Sequence, residues 1–104
     1  MISQQKWLSF STAEQFGNIG SEIARAKNFQ NKGDVEQMNR SIFRALELID
    51  LTVEDHRLSG RLKELLRYRE LLCDIYCGTH YFNVSLENLE NYCLPFALRA
   101  RWNR

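Results

Sequence analysis

The sequence predicts an all-α fold, arranged as an antiparallel up-down four-helix bundle with short loops and a proline-kinked last helix. The chain of 104 residues contains only five glycines and one proline, and these two residues are the strongest helix breakers. Apolar residues recur at spacings of three and four, the helical period, and no strand-like alternation is found. Because the predicted helices are joined by short loops, consecutive helices should pack as antiparallel neighbours.

The chain length fits one domain with one modest core, because a protein of this size buries roughly two thirds of its unfolded surface. Residues 1–10 have weak periodicity and are expected to form an N-terminal arm, or a short helical turn, that packs through Trp7 and Phe10. Ser11 and Glu14 then have the spacing of a capping box, which marks a helix start. We therefore predict a single four-helix-bundle domain over residues 11–104.

Two predicted helices follow the arm. The first carries a stripe of apolar residues, and its two glycines, Gly17 and Gly20, favour either a close approach to a neighbouring helix or a loosely held first turn. Gly33 suits the left-handed position after this helix, and Asp34 suits the cap of the next. The second helix should run from Val35 to Glu54. The expected core stripes are Phe16, Ile19, Ile23 and Ala26 in the first helix, with Phe29 as a further candidate, and Val35, Met38, Ile42, Ala45, Leu46, Ile49 and Val53 in the second.

The third helix is predicted from about Arg61 to Cys77, with Gly78 as its stop. Ser85 should cap the fourth helix, in which Pro95 removes a backbone donor and produces a kink. The predicted core face of the third helix consists of Leu62, Leu65, Leu66, Leu72, Cys73 and Tyr76, and the opposite face of Arg67, Arg69, Glu70 and Asp74.

The charge balance argues against a nucleic-acid-binding module. The formal net charge is +1, whereas phosphate contact usually requires a clear positive excess. A basic C-terminal end is formed by Arg99, Arg101 and Arg104. The N-terminus lacks a signal-peptide core and no transmembrane run is present, so the expected location is cytoplasmic, without membrane contact.

The stretch "CDIYCGTHYF", residues 73–82, raises the question of a metal site. Cys73, Cys77 and His80 are spaced at i, i+4 and i+7, and these residue types suit zinc. A structural zinc site needs four ligands, however, and only Cys93 and His56 remain as further candidates. The thiols are therefore expected to be free and mostly buried, with no metal and no cofactor. A structural metal-binding bundle remains an alternative.

The sequence favours a non-enzymatic protein. His56 and His80 should lie in loops at opposite ends of the third helix, so no nucleophile, base and orienting group are expected to meet. The Glu-x-x-His spacing of ferritin-like iron sites is absent. A small nucleic-acid-associated or toxin-antitoxin-type helical protein remains an alternative function, with RNA contacts through Arg57, Arg61, Arg99 and Arg101.

Aromatic and aliphatic residues outside the core stripes are the main signal for interaction. Tryptophan, tyrosine and arginine are favoured at interface centres, although such residues can also close the ends of a short bundle. A protein partner or a second copy in a homodimer is expected, and the pattern does not identify a small molecule. The candidate partner-binding residues are Phe43, Leu48, Tyr81, Phe82 and Trp102.

The order of these signals resembles the flagellar secretion chaperone family, which holds flagellin before export. The resemblance runs from about Ser11 to Trp102 and includes the stretch "ARAKNFQNKGDVEQMNRSIFRALELID", residues 24–50. The stretch "LKELLRYRELL", residues 62–72, is similar to the third helix of that family, and Trp102 matches its tryptophan near the end. The resemblance implies a cytoplasmic, non-enzymatic bundle that binds helical segments of a partner along apolar grooves.

Overall fold

The computed structural model describes residues 2–93, and about 80% of these are helical with no strand among them. The predicted all-α class is thus confirmed for this part of the chain. Within the same residues, no helix combines the length and apolar character needed to cross a membrane. The helices are α1 (Gln4–Leu8), α2 (Thr12–Asn31), α3 (Val35–Val53), a 3-10 helix (His56–Arg61), α4 (Leu62–Cys77) and α5, which is described over residues 86–93.

The predicted helix boundaries agree with the observed capping contacts. Ser11 and Glu14 form the capping box at the start of α2, and Asp34 caps α3 by accepting from the Gln37 amide. Gly33 and Gly78 have φ angles of 75° and 74°, the left-handed conformation that glycine adopts at little cost. At α5, the Ser85 hydroxyl accepts from the Asn88 amide at 3.1 Å.

The short helix α1 is attached to the bundle through Trp7, which lies in the core. Its indole Nε1 donates to Thr52 Oγ1 at 2.8 Å, so the buried ring keeps a hydrogen bond. The expectation that the N-terminal segment packs through its aromatics therefore holds for Trp7. Phe10 packs edge-on against Trp7, with ring centroids 5.8 Å apart.

A buried polar cluster connects α1 and α2 with the end of α3. Gln15 Nε2 donates to the Trp7 carbonyl at 3.0 Å and to Asp55 Oδ2 at 3.1 Å. Arg57 binds the Asp55 carboxylate and donates to the Phe10 carbonyl at 2.7 Å. The Arg57 hydrogen bond is the main cause that lowers the Asp55 pKa to about 2. The ionised carboxylate is therefore part of the native fold at neutral pH.

Helix α5 lies against both α2 and α4. Lys27 of α2 forms an ion pair with Glu90 at 2.5 Å, and the Tyr68 hydroxyl of α4 donates to the Leu89 carbonyl at 2.8 Å. The closest approach is at Gly20, where an added Cβ would lie 2.7 Å from Cys93 Cβ. The expected role of a glycine in close helix packing is thus observed at this position.

The core face of α4 differs from the predicted one. Leu65 and Leu72 are buried as expected, but Tyr68, Asp74 and Ile75 are also buried, whereas Leu62, Leu66 and Tyr76 are exposed. The prediction placed part of the core on the wrong face of α4, because this helix carries apolar residues around most of its circumference. In α3, the central stripe from Ile42 to Ile49 is buried as predicted, but Val35, at the helix start, is exposed.

Several predictions concern residues outside the described range. The kink at Pro95 and the placement of Trp102 lie there, as do the basic residues Arg99, Arg101 and Arg104.

Candidate protein-docking surface

An exposed aromatic pair lies where the middle of α3 meets the end of α4. Phe43 is 51% exposed and Tyr76 is 39% exposed, and their ring centroids are 6.4 Å apart. Both rings line a shallow cleft of about 250 Å³ that is flanked by Arg40 and Arg44. Large apolar side chains with this exposure, rimmed by charged groups, are typical of interaction sites.

The exposed pair continues into a stripe along α4, which we name the α4 seam. Its members follow spacings of four, three, four and three, the heptad pattern of a coiled-coil interface. Over 14 residues at 1.5 Å rise each, the seam is about 21 Å long. Leu62 is 38% exposed and Leu66 is 45% exposed, so the first part of the seam is apolar and open to solvent, whereas Arg69 and Tyr76 further along it contact α3. The α4 seam consists of Leu62, Leu66, Arg69, Cys73 and Tyr76.

The centre of the seam is polar. Arg69 Nε donates to Asp50 Oδ1 at 2.6 Å, and its Nη1 lies 3.5 Å from the half-buried Cys73 Sγ. The carboxylate of Asp50 raises the pKa of Arg69, so the guanidinium remains charged. A single polar residue within an otherwise apolar heptad fixes register at a cost in stability, and Arg69 occupies such a position.

A second aromatic surface lies in the loop after α4. The Asp74 carboxylate accepts from Thr79 Oγ1 at 2.5 Å, the Tyr81 amide at 2.8 Å and the Phe82 amide at 3.1 Å. These bonds lower the pKa of Asp74, with the Thr79 bond as the largest cause. His80 has a φ angle of 52°, a conformation that costs energy for a non-glycine residue.

The Asp74 contacts hold two aromatic side chains in different environments. Tyr81 points outward and is 83% exposed. Phe82 is partly buried under the Arg67 guanidinium, which lies 4.4 Å from its ring centroid. The loop therefore holds one tyrosine in an exposed position. A tyrosine side chain provides contact area at a low cost in conformational entropy.

A larger groove of about 560 Å³ runs between α1, α2 and α3. Its apolar lining includes Phe10 and Leu48. Its opposite rim carries a charge network in which Glu22 binds Arg25 at 2.8 Å and Arg44 at 3.0 Å. Glu22 compensates one of the two arginine charges, so this network of three ions keeps a net charge of +1.

The five predicted partner-binding residues are thus distributed over separate places. Phe43 lies at the aromatic cleft, Leu48 in the groove beside α1, and Tyr81 and Phe82 in the Asp74 loop. Trp102 is outside the described residues.

The structure does not bring the candidate metal ligands together. Among residues 2–93, no group of three or more histidine, cysteine or acidic side chains has a geometry for metal binding. Cys77 is exposed, whereas Cys93 is buried with its Sγ 3.3 Å from the Tyr68 hydroxyl. Burial raises the pKa of the Cys93 thiol to about 11, which disfavours the thiolate that a metal ligand or nucleophile requires.

The arginines of the RNA-binding alternative have intramolecular contacts where they are described. Arg57 is bound by Asp55 and by the carbonyls of the α1–α2 connection. Arg61 forms an ion pair with Glu64. The positive charge of each arginine is therefore already partly compensated within the chain.

Comparison of the chain with protein-family models, with curated proteins and with solved structures finds no match. The resemblance to flagellar secretion chaperones therefore stays a prediction.

Sequence reasoning missed Leu62, Leu66 and Tyr76 as surface residues. The available signal was an excess of apolar residues on α4, which form two stripes about 100° apart around a helix of 3.6 residues per turn. One stripe, containing Leu65, Tyr68, Leu72 and Ile75, fills the core. A helix that carries more apolar surface than one core requires is a sign of a second contact.

Proposed function

We propose that this chain is a non-enzymatic helical-bundle protein that binds a protein partner through the α4 seam and the adjoining aromatic cleft. The observation that carries the proposal is the heptad-spaced stripe on α4, in which Leu62, Leu66 and Tyr76 are exposed and which continues into the Phe43–Tyr76 pair. Apolar side chains at heptad spacing are complementary to the apolar face of another helix, the helix-in-groove mode of recognition.

The scaffold in this proposal is an antiparallel up-down four-helix bundle of α2, α3, α4 and α5. Support comes from the ordered contacts between α3 and α4, in which Asp50 meets Arg69 and Phe43 meets Tyr76. Such a bundle presents α4 as a straight, supported helix. A rigid element positions binding residues more accurately than a loop does.

A chaperone-like role is the finer version of the proposal, with a cytoplasmic protein that shields a helical segment of a secreted partner. The resemblance to the flagellar secretion chaperones motivates it, and the exposed apolar heptad offers a suitable surface. Its direct test is titration of the chain with peptides from the helical ends of flagellin. No binding at high micromolar peptide would remove this version while leaving the docking surface itself open.

The proposal is tested by photo-crosslinking in cells that naturally express the chain. A photoreactive amino acid is placed at Leu66 on the seam, and in a matched control at Arg67, the adjacent exposed position outside the seam. We expect protein crosslinks from position 66, identified by mass spectrometry, that exceed those from position 67 and decrease in Phe43→Ala. Equal crosslinking from both positions would overturn the proposed docking surface.

A further inference from the structure

We infer that the occupant of the α4 seam is a second copy of this chain, bound through an antiparallel α4–α4 contact about a two-fold axis. This inference rests on the proposed function, because it names the partner of the same surface. A two-fold contact requires a self-complementary patch. The charges on and beside the seam have this property.

The self-complementary charges lie on the outer flank of α4. Lys63 and Glu70 occupy the same heptad position, one heptad apart, and both are exposed. Glu70 also pairs with Arg67 on its own helix at 3.2 Å. In an antiparallel pair of helices, residues of this flank face one another across the interface. When Leu66 of one copy packs at the same level as Arg69 of the other, Lys63 of the first copy lies opposite Glu70 of the second. The two-fold axis then generates a second ion pair, between Glu70 of the first copy and Lys63 of the second.

The apolar residues fit the same register. Cys73, half-buried in the single chain, comes into the layer of Leu62 of the second copy. Tyr76 then extends beside the 3-10 helix that precedes the second copy's α4. Because the seam covers only two heptads, the interface is at the small end of specific contacts, and we expect a reversible dimer with a roughly micromolar dissociation constant.

The oligomeric state is measured by sedimentation velocity over a concentration series of the full chain. We expect the mass to rise from 12.3 kDa toward twice that value, and Leu66→Glu to weaken the dimer at least about tenfold. Circular dichroism of Leu66→Glu checks that the helices remain folded. A monomer throughout, up to about millimolar concentration, would overturn the inference.

A charge exchange tests the antiparallel register. Lys63→Glu and Glu70→Lys should each weaken the dimer several-fold, because each places like charges opposite one another. The double variant should restore the wild-type dissociation constant. Failure of the double variant to recover would contradict the proposed register.

Disulfide trapping provides an independent readout in a Cys77→Ser background. Leu62→Cys should form an interchain disulfide with Cys73 of the second copy under oxidised glutathione, whereas the Cys77→Ser parent should not crosslink through Cys73 alone. Efficient Cys73–Cys73 crosslinking of the parent would indicate a parallel pair and overturn the inference. Photo-crosslinks from position 66 to a different protein, together with a monomeric chain, would overturn the dimer but leave the proposed function standing.

Discussion

Gly20 of α2 and Cys93 of α5 approach so closely that a Cβ added at Gly20 would lie 2.7 Å from Cys93 Cβ. Real Cβ contacts are not this short, so the two helices would have to separate to admit even alanine. This one contact explains why a residue with poor helix propensity occupies the interior of α2.

We predict that Gly20→Ala lowers the free energy of unfolding by up to about 2 kcal/mol. Overpacking costs typically 1–3 kcal/mol, and the gain in helix propensity of about 1 kcal/mol offsets part of it. Urea denaturation measures the change. Cys93→Ala is the matched control, because it keeps the Cβ and should not relieve the clash, whereas Cys93→Gly should recover part of the loss in the double variant.

The carboxylate of Asp55 should make stability depend on pH. Its pKa in the folded chain is about 2, below the ordinary value of 3.8, so the unfolded chain binds the proton first. The contribution is fully present above about pH 4 and is lost as the pH falls from 4 toward 2. Urea denaturation from pH 6 to pH 2 should show Asp55→Asn less stable than wild type at pH 6, with the difference closing at low pH.

If the stability difference between Asp55→Asn and wild type disappears at low pH, the negative charge of Asp55 is its cause. A constant difference between Asp55→Asn and wild type across the same pH range would show that the substitution acts through packing instead. Arg57→Gln is the companion variant, and it should remove the same pH-dependent difference because Arg57 is the main partner of the carboxylate.

Asp74→Ala should release the aromatic loop. The variant removes the acceptor for the Thr79 hydroxyl and for the amides of Tyr81 and Phe82, while His80 retains its costly φ angle. Hydrogen exchange should accelerate at these two amides by about tenfold or more, since about 1.4 kcal/mol corresponds to a factor of ten. Exchange in the α3 interior should change little, and unchanged exchange in the loop would refute the role of Asp74.

The two apolar stripes of α4 should respond differently to substitution. Leu72→Ala removes a fully buried side chain and should cost about 2–5 kcal/mol. Leu66→Ala truncates a side chain on the exposed stripe and should alter monomer stability by no more than about 0.5 kcal/mol. Thermal unfolding in dilute solution, where any dimer dissociates, compares the two. Similar losses in both variants would mean that Leu66 belongs to the core.

The sequence was sufficient for local features that depend on neighbouring residues. The capping residues Ser11 and Asp34 and the left-handed Gly33 and Gly78 could be predicted because each acts within one helical turn. The centre of α3 was predictable because Ile42, Ala45, Leu46 and Ile49 follow a clear helical period, although Phe43 and Leu48 lie off this face.

The rotation of α4 could not be predicted, since its apolar residues cover most of the helix and periodicity permits more than one core face. The position of Asp74 depends on amides up to eight residues further along, in a loop with a positive φ angle at His80. Composition gives no sign of this arrangement. Because the core face of α4 could not be predicted, the proposed docking surface was predicted in part at Phe43 and missed at Leu66.

The hydrogen bond from Trp7 to Thr52 gives the molecule a natural optical reporter. The chain has two tryptophans, so Trp102→Phe leaves a single indole, which is buried between α1 and the bundle. Its emission wavelength then follows the attachment of α1 without an added dye. Detachment of the N-terminal segment can therefore be followed separately from the loss of helix in the rest of the bundle.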